Sequence, residues 1–275
     1  MNYKILIIVL LFLPLWGCEE VIEMDLNSAS SKLVIEANLA EGKTAMAKLS
    51  LTSNYFDPIA PVFVENAIIT IADKNGANEQ LTYKGNGIYE GTLLKGAENN
   101  MYTLEVEYKG EKFIANSFLH KKIPIDSLRT EAAFTPPGGG FNNGNGGGAV
   151  ARKIVLAMFQ DNITETNFYK LNYYRNDTLI TSAGSINVFD DALSNGLLMT
   201  AGARQIAFKP GDASKLELMV IDKSVHLYFS TLSNILSSGN PMNSSTPYNP
   251  ESNFSNGALG YFMAYSFDSK EIEIK

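Results

Sequence analysis

The chain has 275 residues, 45% of them apolar, and a formal net charge of −7. That length supplies one large or two ordinary domains with real cores, and the lack of any basic patch or Lys/Arg run excludes a nucleic-acid binder. A single cysteine, Cys18, excludes an intramolecular disulfide, while plentiful Gly, Asn, Ser, Thr and Tyr suit many short strands joined by turns.

The chain opens with Lys4 ahead of an apolar run over residues 5–13. That run is too short for a membrane-spanning helix, which needs roughly 20 apolar residues. It ends Leu15-Trp16-Gly17-Cys18. The pattern reads as an export signal with a bacterial lipobox, cleaved after Gly17 and acylated on the Cys18 sulfur. Acyl chains such as palmitate anchor at about 0.8 kcal/mol per buried methylene, so the mature chain is expected to be tethered to a bilayer. Removal of the leader takes Lys4 and leaves the mature chain at about −8.

Residues 18–31 read as a polar tether. Residues 32–119 alternate apolar and polar positions in about seven short runs separated by turn signals such as Asp73-Lys74-Asn75-Gly76 and Gly85-Asn86-Gly87. This predicts an immunoglobulin-like or transthyretin-like β-sandwich. Residues 120–275 predict a second, antiparallel β domain. Within it, residues 135–149 form a low-complexity Gly/Asn/Pro stretch, read as a long mobile loop or an interdomain linker. Strands are expected at residues 127–134, 151–160, 168–175, 204–208, 215–221, 260–267 and 271–274. Val225, Tyr228, Phe229, Leu232, Ile235 and Leu236 recur at three and four residues, which predicts one helix over about 223–237, capped by Asp222 or Ser224. The fold class expected is mainly β.

The two histidines, His120 and His226, have no metal-ligand spacing around them, and with one cysteine a Cys/His zinc site is excluded. Asp190-Asp191 offer two acids of the kind a calcium loop uses, and the bland reading is a solvated pair. No nucleophile elbow, HExxH or P-loop is present, so neither a catalytic residue nor a cofactor is expected and an enzyme is disfavoured. Tyr173, Tyr174, Tyr248, Tyr261 and Phe262 lie in or beside expected loops, where flat rings stack on sugars or seat peptides, although such rings are more often core. Asp126-Ser127-Leu128 and Asp177-Thr178-Leu179 match a short O-glycosylation pattern, with Ser127 and Thr178 as acceptors.

The order of several segments resembles a Bacteroidota outer-membrane lipoprotein family carried as a domain of unknown function. The segments are Cys18-Glu19-Glu20-Val21-Ile22, Lys32-Leu33-Val34-Ile35-Glu36, Val64-Glu65-Asn66-Ala67 and Gly87-Ile88-Tyr89. They continue with Asp161 followed by Asn167-Phe168-Tyr169, then Asp191-Ala192-Leu193-Ser194-Asn195-Gly196, and Ser255-Asn256-Gly257 before Gly260-Tyr261-Phe262. The two glutamates after Cys18 are similar to surface-export signals of that group. The resemblance implies an outer-membrane lipoprotein, at the cell surface or the periplasmic face, that partners a TonB-dependent transporter in nutrient binding or uptake. A structural or adhesive envelope protein and an envelope hydrolase are the alternative expectations.

Overall fold

Where apolar and polar residues alternate, the chain is extended and buries one face in the computed structural model, which describes residues 31–53, 61–133, 152–237 and 248–275. The strands of the first half are β1 (Leu33–Ala40), β2 (Thr44–Leu51), β3 (Val62–Phe63), β4 (Ile68–Asp73), β5 (Asn78–Gln80), β6 (Thr82–Gly85), β7 (Ile88–Lys95), β8 (Asn100–Tyr108) and β9 (Glu111–Leu119). The second half adds β10 (Ser127–Ala132), β11 (Lys153–Gln160), β12 (Phe168–Arg175), β13 (Thr178–Leu179), β14 (Asn187–Asp190), β15 (Leu198–Ala201), β16 (Ala213–Ile221) and β17 (Leu259–Glu273). The helix α1 (Lys223–Ser237) lies between the last two. The molecule is mainly β, as its patterning predicts. The leader, Gly17 and Cys18 lie outside the described residues, as does the expected glycine loop at 135–149.

One long sheet runs β13-β12-β16-β17-β1-β2-β7-β6, with β14 also on β12 and β3 on β2. A four-stranded sheet, β5-β4-β8-β9, closes over its first half, and a three-stranded sheet, β10-β11-β15, over its second. The first core joins Leu39, Ala47 and Tyr89 to Ile69, Ile71, Leu104 and Val106. The second joins Val155 and Phe159 to Tyr169, Leu171, Leu218 and Val220. A boundary placed at residue 119 does not separate the two cores cleanly: Phe254, Ala258, Phe262 and Ala264 pack in the first, the long sheet runs through both, and Ser31–Lys275 form one compact unit.

The strand that makes this continuous is β17. Its first half pairs with β1 in parallel and its second half with β16 antiparallel, through Val34↔Leu259 to Ala40↔Tyr265 and then Val220↔Ser266 to Ala213↔Glu273. Two separate strands at 260–267 and 271–274 are thus corrected to one of 15 residues, because Asp268 and Ser269 stay extended instead of turning. Gly260 makes the parallel pairing feasible. It has φ +98, and a Cβ there would sit 2.0 Å from the carbonyl oxygen of Ile35.

A strand expected at 204–208 is a turn instead. The Ala203 N–H is taken by the Tyr173 hydroxyl at 2.7 Å, Ile206 N–H closes back on Ala203 at 3.2 Å, and only Phe208 makes a bridge, to Lys153. The helix begins where expected: Asp222 Oδ1 accepts from Lys223 N–H at 2.8 Å, and its Oδ2 accepts from Phe118 N–H at 3.2 Å, which ties the helix start to β9.

Candidate functional site

Along β12, Tyr169, Leu171 and Tyr173 face the second core, so Phe168, Lys170, Asn172 and Tyr174 face outward. The register sets Lys170 beside Met219, Asn172 beside Glu217 and Tyr174 beside Lys215 of β16. Met219, Ile221 and Met263 form the apolar part of this face, and α1 covers it with Val225, Tyr228 and Phe229. Beyond the helix the face becomes polar and aromatic. Glu217 accepts from Asn172 Nδ2 at 3.1 Å and from the Tyr174 hydroxyl at 3.3 Å. Lys170 donates to Asn172 Oδ1 and stands 5.0 Å from the Phe229 ring, while Lys215 lies 4.2 Å over the Tyr174 ring.

Burial dominates the electrostatics here. It pushes the Lys170 ammonium down to about 8, against the opposing pull of the Glu217 charge. It also pushes the Tyr265 hydroxyl up to about 12, with Glu217 adding to the effect. The result is a half-buried patch of one amine poised near neutrality, one carboxylate, a carboxamide and two tyrosine rings. Such a set recognises a polar ligand by hydrogen bonds and ring stacking. Between α1, β14 and residues 202–205 a polar cleft of about 440 Å³ is lined by Asn187, Arg204, Gln205, Ser230, Ser233 and others. Among the described residues Arg204 has no carboxylate within ion-pair distance.

A third polar cluster is buried in the second core. The Tyr169 hydroxyl donates to Asp161 Oδ1, and Asp161 Oδ2 accepts from Gly196 N–H at 2.7 Å. Asp191 is fully buried and its Oδ2 accepts from Asn167 N–H at 2.8 Å. Its Oδ1 and the Oδ1 of Asn167 are buried without a partner. Burial first, and then the Asp161 carboxyl beside it, raise the Asp191 pKa, with the Asn167 N–H opposing. Asp191 is therefore not the solvated loop acid expected; its neighbour Asp190 is exposed. Among the described residues no group of three or more His, Cys, Asp or Glu is placed to hold a metal ion.

A family model matches residues 19–271, and its description is "Domain of unknown function (DUF4249)". The chain belongs to this family. No curated protein matches it significantly. Seen as a DUF4249 domain, the segments that carried the resemblance do structural work at three places. The Tyr89 hydroxyl accepts from Ala67 N–H at 3.2 Å and donates to Val64 O at 3.0 Å, which joins two of those segments. Asp161, Asn167, Tyr169, Asp191 and Gly196 meet in the buried acid cluster. Ser255 Oγ accepts from Ile114 N–H at 2.9 Å and Asn256 Nδ2 donates to Lys112 O at 2.5 Å, which closes the loop before β17 onto β9.

The aromatic residues singled out in the sequence separate in this DUF4249 fold. Tyr173 and Phe262 are core residues, at 1% and 0% exposure, and cannot contact a ligand. The alternation that built their strands was the signal, since both fall on the inward parity. Tyr174 belongs to the outward patch. Tyr261 packs under α1, its ring 4.9 Å from both Tyr228 and Phe229. Tyr248 is exposed. Ser127 and Thr178 are exposed. His226 packs 5.1 Å from Phe168, and burial pushes its pKa down. His120 Nδ1 lies 3.5 Å from Glu165. The sequence reading missed Lys170, Asn172 and Glu217. Their signal was polar residues recurring at every second position of two otherwise apolar strands.

Proposed function

We propose that the protein is an outer-membrane lipoprotein, acylated at Cys18, that works beside a TonB-dependent transporter in nutrient binding or uptake and is not itself an enzyme. The observation that carries the reading is Leu15-Trp16-Gly17-Cys18 at the end of a short apolar leader, with the only cysteine of the chain at the acylation position. The resemblance to a Bacteroidota lipoprotein family adds the transporter, and the Lys170, Glu217, Tyr174 and Tyr265 patch gives a ligand somewhere to bind. Labelled palmitate should enter the protein in cells, and Cys18→Ala should abolish both the label and recovery with membranes. Affinity purification from native membranes should bring down a transporter barrel. Recovery of the lipoprotein alone, repeatedly, would refute the partnership and leave the anchor standing.

A further inference from the structure

Two turns that meet over the buried acid cluster project apolar side chains into solvent. Leu193 is 100% exposed and Ile163 73%, and Leu197 and Leu198 are exposed beside them. Single exposed apolar residues need no explanation, but Ile163, Leu193 and Leu197 on two touching turns, with Leu198 at the start of β15, form a patch. The turns are not loose. Gly196, at φ +74, has its N–H held by Asp161 at 2.7 Å and its carbonyl held by Gln160 Nε2 at 2.9 Å. Ile163 packs directly on it, so closely that a Cβ at Gly196 would stand 2.7 Å from the Ile163 side chain. Asp161 N–H also donates to Leu197 O at 3.1 Å, and Ser194 and Leu197 N–H groups close the turn internally. Asp161, buried beside Asp191, thus holds the apex of the second turn in place.

The tip has a cationic neighbour. Asn162 and Glu165, on the same turn as Ile163, line a cleft of about 250 Å³ with Lys121 and Lys122. Lys122 pairs with Glu41 at 3.4 Å, whereas Lys121 has no ion pair among the described residues. Aliphatic side chains at the apex and an unpaired ammonium beside them match the two layers of a leaflet, acyl chains and phosphate headgroups. A tip that protrudes also suits a fluid phase that closes around it.

We infer that this tip, Ile163, Leu193, Leu197 and Leu198, inserts into the acyl-chain region of the leaflet that carries the anchor, with Lys121 at the lipid phosphates. The inference rests on the acylation of Cys18 proposed above. The tether allows it: roughly fifteen residues from Cys18 to Leu33 reach at most about 50 Å. Phe168, at the foot of the tip, is level with Ala40 through β16 and β17, about 23 Å along β1 and about 14 Å across three strands from the tether's junction. A second contact fixes which face of the domain looks at the bilayer, which one flexible anchor leaves undefined.

The mature chain contains no tryptophan, since Trp16 is removed with the leader, so Leu193→Trp is a clean reporter. In the acylated protein on protein-free phosphatidylethanolamine/phosphatidylglycerol vesicles, its emission should shift to the blue. Acrylamide quenching should fall about threefold, and lipids brominated on the acyl chain should quench it. The unacylated Cys18→Ala chain should pellet weakly with the same vesicles, and Leu193→Asp with Leu198→Asp should cut that partition about tenfold without moving the urea midpoint. Equal acrylamide quenching with and without vesicles, in protein whose acylation is verified by intact mass, overturns the inference and spares the anchor. Missing acylation refutes the anchor, and the Cys18→Ala pelleting assay still reads the tip alone. Shielding that appears only when outer-membrane proteins are added overturns the lipid assignment in favour of a protein partner.

Discussion

Replacing Lys170 by methionine tests whether the patch on β12 and β16 is held against the preference of the fold. A lysine with a pKa of about 8, in place of the ordinary 10.5, reports a charged form that burial disfavours. Holding the ammonium there at neutral pH costs about 3 kcal/mol at most, at 1.36 kcal/mol per pKa unit. The hydrogen bond to Asn172 and the contact with the Phe229 ring return about 1–2 kcal/mol. Methionine keeps the stem and removes the charge, so Lys170→Met should stabilise the protein by about 1–2 kcal/mol at pH 7. The sign against pH follows from proton counts. Below pH 8 folded and unfolded chains both hold the proton and the cost is constant. Between pH 8 and 10.5 the unfolded chain holds more, so the stability of the native sequence rises with pH and the advantage of the variant shrinks. Urea unfolding of the unacylated mature chain at pH 7, 8.5 and 10 reads this directly. A destabilised variant at pH 7 would refute the reasoning and place Lys170 in an ion pair instead; a gap that does not change with pH would refute it by showing that burial leaves the ammonium unshifted.

Two further outcomes follow from single side chains. Gly260→Ala sets a methyl 2.0 Å from the Ile35 carbonyl in a parallel pairing that has no room to shift; the expected loss is roughly 3 kcal/mol or more, seen as a lowered melting temperature or loss of soluble protein. Glu79 accepts from the N–H groups of Thr92, Leu93 and Leu94 at 2.5 to 3.1 Å and from Thr92 Oγ1 at 2.9 Å. Burial would raise its pKa, but these donors together outweigh it and hold the carboxyl below its ordinary value. Its contribution is therefore present above the unfolded value near 4.5 and lost as pH falls through the folded one. Glu79→Gln should cost about 1–3 kcal/mol at pH 7 and flatten the acid limb of the stability curve; an unchanged acid limb would count against the assignment.

The local pattern gave the strands, and it also explains what stayed hidden. Period-two alternation fixes which residues point inward, so β1, β2, β8 and β12 were legible from Ile35, Leu49, Leu104 and Leu171 alone. Which strand pairs with which is not written in any one strand. The parallel seam between β1 and β17 joins residues more than 200 positions apart, and its one local mark is Gly260. The turn at 204–208 was misread because its backbone donor is satisfied from afar, by Tyr173. Lys170 and Glu217 were hidden for a related reason. Each reads as an ordinary solvated residue until the register places them on adjacent strands and α1 closes over one end of the face.

The two buried carboxyls over which the tip is built are not equivalent, and their difference can be measured. Asp161 uses both oxygens, one for the Tyr169 hydroxyl and one for Gly196 N–H. Asparagine at 161 would set an amide donor against one of those two donors, so Asp161→Asn should cost about 2 kcal/mol. Asp191 uses one oxygen, for Asn167 N–H, and leaves the other buried and unpartnered beside Asp161. Asparagine at 191 keeps the acceptor, removes a like charge and offers an N–H to the unpaired Asn167 Oδ1 or to Asp161. Asp191→Asn should therefore be neutral or stabilising by up to about 1 kcal/mol at pH 7. Urea midpoints of the two variants give the ordering, and amide exchange at Gly196 and Leu197 shows whether the loss is confined to the tip. The reverse ordering would mean that Asp191, not Asp161, bears the load of the cluster. The tip would then be held through Asn167 and the start of β12 rather than through Gly196.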